Sequence, residues 1–312
     1  MRKILISGLG GSLFPYLHDK LKSNYELFYV DLDPELAKLY KDYNFFPAPA
    51  VLDQSYEVFI ENLIHSNKID IYIPLIDEEI QKAHQVKKLF PDLLLVVPTL
   101  EFSELCLNKE KLMYKLSELK ISKIETKRGD ELTENENFPV FVKPTYGRGS
   151  RGIRVINSLK EFDAYLLLDG YKANEVIVQD NIQGTEYTVG VLSNNMNQIL
   201  SISSKKVISK KGITIQAVTE NNESIEDVVL KINEKLKPCG PYNVQLFIDN
   251  NNRIKIFEIN PRFSTTSIMS YEGGVNEIDL FDIMYGKTNN SNFVRPKAGI
   301  TLRRSWKNNF YD

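Results

Sequence analysis

The stretch Asn243–Arg262, NVQLFIDNNNRIKIFEINPR, sets a Gln, a Glu and an Asn where their side chains can act together. Two apolar runs, Asn243–Asp249 and Arg253–Ile259, flank the polar Asn250-Asn251-Asn252, the pattern of a β-hairpin. A four-residue loop from Asn250 to Arg253 pairs 249 with 254 and brings Gln245 opposite Glu258. Asn260, two residues further, points to the same side, with Phe247 and Ile256 supporting the group from that face. Three oxygen donors at one hairpin end suit a hard cation such as Mg²⁺, which takes one or two carboxylates and completes its shell with phosphates. A solvated hairpin end is the alternative, because registers slip.

A second group begins at the short strand Pro139–Pro144, which ends in Lys143 and runs into Thr145-Tyr146-Gly147-Arg148-Gly149-Ser150-Arg151-Gly152. Glycines interleaved with Arg and Ser give a mobile loop whose successive N–H groups can wrap an anion. An exposed turn is the simpler reading, but the position directly after Lys143 favours phosphate. The phosphate-binding pattern GxxxxGK[ST] is absent from the chain. Lys205, Lys206, Lys210 and Lys211 crowd one segment that would ordinarily be a solvated face. Asp77-Glu78-Glu79 follow an apolar strand closely. They could face a ligand crevice, although acids in a helix's first turn also answer its dipole, and that reading stands ahead.

These groups need a scaffold. Lys3–Ser7 reads as a strand that breaks into Gly8-Leu9-Gly10-Gly11-Ser12, followed by a helix, Leu13–Leu21, and a strand, Tyr25–Val30, ending at Asp31. That order opens a doubly wound nucleotide-binding fold. Leu13 holds the place of the third glycine of GxGxxG, which weakens a nicotinamide-oxidoreductase reading. Ile69–Ile73 and Leu93–Val97 read as further buried parallel strands, with helices at Tyr56–Ser66 and Glu78–Leu89, so an α/β domain is expected over 1–100. Beyond it, Glu101–Leu119 is helical, begun or interrupted at Asn108–Lys111. Strands are expected at Ile153–Ile156, Glu175–Gln179 and Glu186–Leu192, with a helix at Ser158–Leu167. Ile199–Val207 and Ile213–Val218 are expected as strands joined by a basic turn, Ile208–Gly212. The helices Glu223–Leu236 and Glu277–Tyr285 and a last strand, Phe293–Trp306, complete the α/β (α+β overall) pattern.

Composition narrows the function. A net charge of −2 gives no basic field for nucleic acid or an anionic membrane. No apolar run approaches the roughly 20 residues of a membrane span, and the N-terminus does not read as a signal peptide, so a cytoplasmic setting is expected. Cys106 and Cys239 form no CxxC and are expected as buried thiols, and His18, His65 and His84 are too scattered for a zinc site.

Taken in order, the motifs resemble the ATP-grasp superfamily, in its carbamoyl-phosphate-synthase-like branch of carboxylate–amine ligases. FEINPRFSTTS at Phe257–Ser267 matches the branch signature E-[MI]-N-P-R-x-S-x-[ST]-[ST]; NVQ at Asn243–Gln245, VKP at Val142–Pro144 with its glycine loop, and VQDNIQGTEYTV at Val178–Val189 follow suit. The resemblance implies a pre-ATP-grasp domain at 1–100 and an ATP-grasp domain at 101–312, with a lid subdomain at about 120–182 and a C-terminal subdomain at about 183–312. It implies ATP and Mg²⁺ or Mn²⁺, two ions, held by Gln245, Glu258 and Asn260. Lys109 and Lys143 would meet the phosphates beneath a lid of Tyr146, Gly147, Arg148, Gly149, Ser150 and Gly152. Gln179, Asp180, Asn181 and Ile182 would form the adenine hinge, and Glu186 would bind the ribose. Arg262 would neutralise the transferred phosphoryl group, with Lys206 or Lys211 reaching the γ-phosphate. Family members carry Glu where Asp180 stands. The activity implied is ADP-forming C–N ligation, in which a carboxylate becomes an acyl-phosphate and an amine displaces phosphate. Phosphorylation of bicarbonate or carbamate and ATP sensing without turnover are the alternatives. The expected partners are small carboxylates and amines, with a homodimer compatible. Specificity is expected from the N-terminal crevice with Asp77 and Glu78, from Ser264–Ser267 and from Tyr271–Asn276.

Overall fold

The computed structural model describes residues 1–287, 293–305 and 308, and its strands form three sheets. The first is parallel: β1 (Arg2–Ser7), β2 (Tyr25–Asp31), β3 (Asn44–Pro47), β4 (Ile71–Ile73) and β5 (Leu94–Leu95), in the order β3-β2-β1-β4-β5. Its strands read as unbroken apolar runs because both faces are covered. Ile4 and Ile6 pack with Leu17, Ile268 and Phe281, while Leu5 packs with Ile60 and Tyr72 on the other side. Strand order reverses at β1 and β4, so the Gly8–Ser12 loop and the turn Asp77–Glu79 sit at the carboxyl ends flanking that reversal. The acid that ends β2 is already engaged: Asp31 accepts a hydrogen bond from the Gly10 N–H at 2.9 Å.

The second sheet is antiparallel, with β6 (Thr126–Arg128), β7 (Val140–Pro144), β8 (Arg154–Ile156) and β9 (Val176–Asp180) in the order β6-β9-β7-β8. Val140, Val142 and Val178 pack against Phe162 and Tyr165 of the helix Leu159–Asp169.

The third sheet contains β10 (Gly184–Ser193), β11 (Ile199–Lys211), β12 (Ile213–Thr219), β13 (Pro241–Asp249), β14 (Ile254–Asn260) and β15 (Thr301–Arg303), ordered β14-β13-β10-β11-β12-β15 and antiparallel throughout. One face rests on the helices Leu100–Leu107, Lys109–Glu118 and Glu223–Leu236, through Val189, Val244, Leu246 and Ile256. The other face meets the first sheet's helix Phe14–Leu21 and the segment carrying Phe263, Ile268 and Phe281.

The helical stretch after residue 100 is interrupted at Asn108, as expected, and the extended backbone and side-chain cap of Asn108 on the Lys111 N–H start the second helix. Three expectations change. The segment expected as a basic turn is strand as far as Lys211, and the chain reverses at Gly212, whose φ of +70° suits glycine. The last strand shortens to Thr301–Arg303, and Trp306 lies outside the described residues. Cys239 is only partly covered, whereas Cys106 is buried. Strands β3 and β6 were not expected; at four and three residues they are too short to show alternation. Among the described residues no helix is long and apolar enough to cross a membrane.

Candidate active site

The hairpin β13–β14 pairs Gln245 with Glu258 and Asn243 with Asn260, as expected, but by another route. Near the turn, Ile248 pairs with Ile254, one residue out of the expected register, and a β-bulge opposite Gln245 restores it. The bulge also changes what supports the donors. Ile256 is buried in the core on the far face, and Phe257 takes the place expected of it. Phe257 and Phe247 stand 5.0 Å apart between ring centroids and both line the cavity above.

The four crowded lysines have three different fates. Lys205 is fully buried near Glu277 and behind Gly190, where a Cβ would approach its Nζ to 3.0 Å. Burial drives its pKa down to about 8, against the opposing charge of Glu277. Lys206 and Lys211 are exposed and line no part of the cavity. The lysine that does is Lys210, whose Nζ donates to Glu186 at 2.8 Å and to Gln245 at 3.3 Å and lies 5.7 Å from the Phe257 ring centroid. In a regular strand the face of Lys205 would next present Lys211. A bulge between Val207 and Ser209 shifts the alternation and turns Lys210 inward.

Lys143 ends β7 fully buried, its Nζ donating to the Phe257 carbonyl at 2.7 Å. Burial, then the charges of Lys109 and Lys210, lower its pKa to about 7, partly countered by Glu258. Lys109 opens the helix capped by Asn108; its Nζ donates to the Gly147 carbonyl at 2.6 Å and lies 3.7 Å from Glu258. The same Asn108 donates to the Tyr146 hydroxyl at 2.7 Å, tying the lid loop to the helix start.

The cavity enclosed by these groups measures about 370 Å³. The lid residues Tyr146, Gly147, Arg148, Gly149 and Ser150 cover it, together with Arg151. Gly152 does not line it. Its φ is +66°, and a Cβ there would fall 2.6 Å from the Tyr171 hydroxyl and 2.9 Å from Pro144, so glycine is required for packing. Gln179, Asp180, Asn181 and Ile182 line it, together with the apolar Ile124, Phe141, Ile153 and Val155. Glu186, Gln245, Glu258, Asn260 and Arg262 line it too, in a charged cluster that Lys109 joins at Glu258 and Lys210 at Glu186 and Gln245. Lys210 and Phe257 were left undecided or missed from the sequence, because one-residue bulges leave no composition signal.

The turn after β4 brings acids to the residues that line the cavity. Arg262 forms a two-point ion pair with Asp77, its Nε and Nη2 donating to the two carboxylate oxygens, the second at 3.2 Å. Glu78 accepts from Arg148 of the lid at 2.7 Å. Glu79 is completely buried and receives the hydroxyls of Ser7, Tyr56 and Tyr72. The three acids stand in a first helical turn, where the dipole reading has them, and each has specific partners as well.

The profile of the ATP-grasp domain matches residues 106–266, from the first helix after the parallel sheet to the signature loop. The chain belongs to the ATP-grasp family. The carbamoyl phosphate synthase large chain of Clostridium botulinum (strain Loch Maree / Type A3) is 26% identical over 193 residues, covering 56% of this chain and 18% of that protein. The D-alanine–D-alanine ligase of Aquifex aeolicus is 26% identical over 142 residues, 42% of this chain and 49% of that one. The chain thus matches less than half the length of either. Among solved structures, a biotin carboxylase–β,γ-ATP complex from Campylobacter jejuni aligns with a TM-score of 0.74 at 15% identity, over 93% of this chain and 72% of that one. An L-amino acid ligase from Bacillus licheniformis aligns with a TM-score of 0.70 at 16% identity, over 91% and 74%. At such identities the likeness is one of fold, and it extends to the N-terminal sheet of this ATP-grasp protein.

The donor set fits a hard divalent cation. Glu258 supplies a carboxylate and Gln245 and Asn260 amide oxygens from adjacent positions of one hairpin. Among the described residues no three His, Cys, Asp or Glu side chains cluster closely enough to hold a metal unaided. A cation here would draw its remaining ligands from phosphates and water, which is how Mg²⁺ is ordinarily held.

Proposed function

We propose that this ATP-grasp protein is an ATP-dependent ligase that activates a carboxylate as an acyl-phosphate, which an amine then attacks, releasing ADP and phosphate. The observation that carries the reading is the mixed lining of one cavity. Apolar Phe141, Ile182 and Val155 suit a base, and the same cavity gathers Lys109, Lys143, Lys210 and Arg262 with Glu258.

In this reading Asp180 and Ile182 meet the adenine edge and Glu186 the ribose. Lys143 and Lys109 contact the phosphates, and Lys210, rather than Lys206 or Lys211, reaches toward the γ-phosphate. Gln245, Glu258 and Asn260 would hold Mg²⁺ or Mn²⁺, which supplies charge neutralisation for the phosphates when bound. Phosphoryl transfer asks a protein mainly for positioning and charge compensation, and these side chains provide both. Arg262 faces the group being transferred. Residues 146–151 exclude water that would hydrolyse the acyl-phosphate.

An ADP-release screen over amino acids, small carboxylates and bicarbonate, with and without EDTA, tests the proposal. Mg²⁺-dependent ADP release that requires both a carboxylate and an amine is the expected result. Release on bicarbonate alone would favour the reaction type suggested by the carbamoyl phosphate synthase relatives. Stabilisation of the protein by NAD(P)H and not by Mg-ATP would overturn the reading.

A further inference from the structure

Arg262 has five N–H groups, and the structure accounts for three of them. Nε–H and one N–H of Nη2 go to Asp77, and one N–H of Nη1 goes to the Phe263 carbonyl at 3.2 Å. The two that remain lie on Nη1 and Nη2, so the guanidinium edge not covered by Asp77 is the one between the Nη nitrogens. Arg262 lines the cavity and has Glu258 as a charged neighbour without an ion pair to it. The planar fork fixes the second edge once the first is held.

Asp77 is itself held rigidly. It lies in the turn Asp77–Glu79, and the third residue of that turn is anchored in the parallel sheet's core by Ser7, Tyr56 and Tyr72. Asp77 and Arg262 are 185 positions apart in sequence, so the pair joins the first sheet to the signature loop after β14. Both side chains are mostly covered, with exposures of 9% and 16%, so water screens the pair little.

We propose that Asp77 is a positioning residue: it occupies the Nε edge of Arg262 and thereby presents the Nη edge to the phosphoryl group in transfer. This rests on the nucleotide reading above. It removes Asp77 from the expected substrate contacts, because both its carboxylate oxygens are engaged by Arg262.

The test is a calorimetric titration of orthovanadate, a stand-in for the transferred phosphoryl group, into protein saturated with Mg-ADP. Asp77→Asn and Asp77→Ala should weaken vanadate capture by about tenfold or more, the size of one charge-assisted hydrogen bond. Mg-ADP affinity should stay close to wild type, which a merely structural role for Asp77 would not produce, while the melting temperature falls because the covered Arg262 loses its partner. Arg262→Lys keeps the charge but has no second edge, so it should show the same loss and supplies the test if the Asp77 variants fold poorly. Adding Asp77→Asn to Arg262→Ala should cause no further loss. Wild-type vanadate affinity in Asp77→Asn, or in Arg262→Lys, would overturn the proposal. So would a wild-type protein that binds Mg-ADP but captures no vanadate. Failure of the wild type to bind Mg-ADP at all would instead sink the nucleotide reading itself.

Discussion

Lys143 holds a charge in a place that resists charge. Its ammonium is buried with Lys109 and Lys210 nearby, and burial above all lowers its pKa to about 7, far below the ordinary lysine value. Phosphates beside it would favour the charged form and raise that pKa. Between the lower and higher values, binding must take up a proton, so Mg-ATP affinity should fall as pH rises above about 7 and level off below it. Calorimetry in two buffers of different ionisation enthalpy should show this uptake at pH 8, and Lys143→Met should abolish it. Equal heats in both buffers for the wild type would remove Lys143 from the phosphate site. Lys143 was legible in the sequence because a strand ending in lysine before a glycine loop is a local pattern. The choice among the lysines of β11 was not legible, since which one turns inward depends on a bulge that the chain's composition does not encode.

At the scale of elements, the lid shows how two glycines of one loop differ. Gly149 has φ near +69° with open space around it, whereas Gly152 combines φ near +66° with close contacts to Tyr171 and Pro144. Gly149→Ala should therefore cost only the backbone strain of a left-handed residue, about 1–2 kcal/mol at most. Gly152→Ala adds steric overlap and should lower the melting temperature further, measured by scanning calorimetry on both variants. Equal melting temperatures would show that the hinge is looser than this packing implies. The Glu78–Arg148 contact that holds the lid to the first sheet is half exposed, so it contributes little stability and weakens with salt. The alternation of strands and helices was readable from periodicity in every element long enough to display it. The helix break at Asn108 was signalled by its capping side chain, while β3 and β6 left no trace because pairing, not pattern, makes them strands.

Taken as a whole, the molecule depends on long-range ties between the parallel sheet and the large antiparallel one. Arg304, just beyond β15, donates to the Ser12, Thr214 and Thr265 carbonyls, thereby joining the glycine turn after β1, β12 and the signature loop. Burial holds its pKa below the ordinary arginine value, and its partners here are neutral carbonyls. Arg304→Ala should cost roughly 2 kcal/mol in urea unfolding, the worth of hydrogen bonds to a charged group. Exposed Arg303→Ala should change stability by no more than about 0.5 kcal/mol and serves as control. Matching losses would mean that the tie adds nothing. Such a tie was beyond reading from sequence, because its partners are backbone atoms contributed by segments more than 280 residues apart at the extreme.

The bulge in β11 also bears on how robust the site is to error. A single extra residue decides whether Lys210 or Lys211 faces inward, and both positions carry the same side chain. If the irregularity slid past Lys210, plain alternation would bring Lys211 to the vacated face, and a cation would still line the cavity. In the nucleotide reading proposed above, the doubled lysine would then serve as a spare. Mg-ATP affinity should be indifferent to Lys211→Met alone, reduced by Lys210→Met, and reduced further when both are replaced, the mark of a component held in reserve.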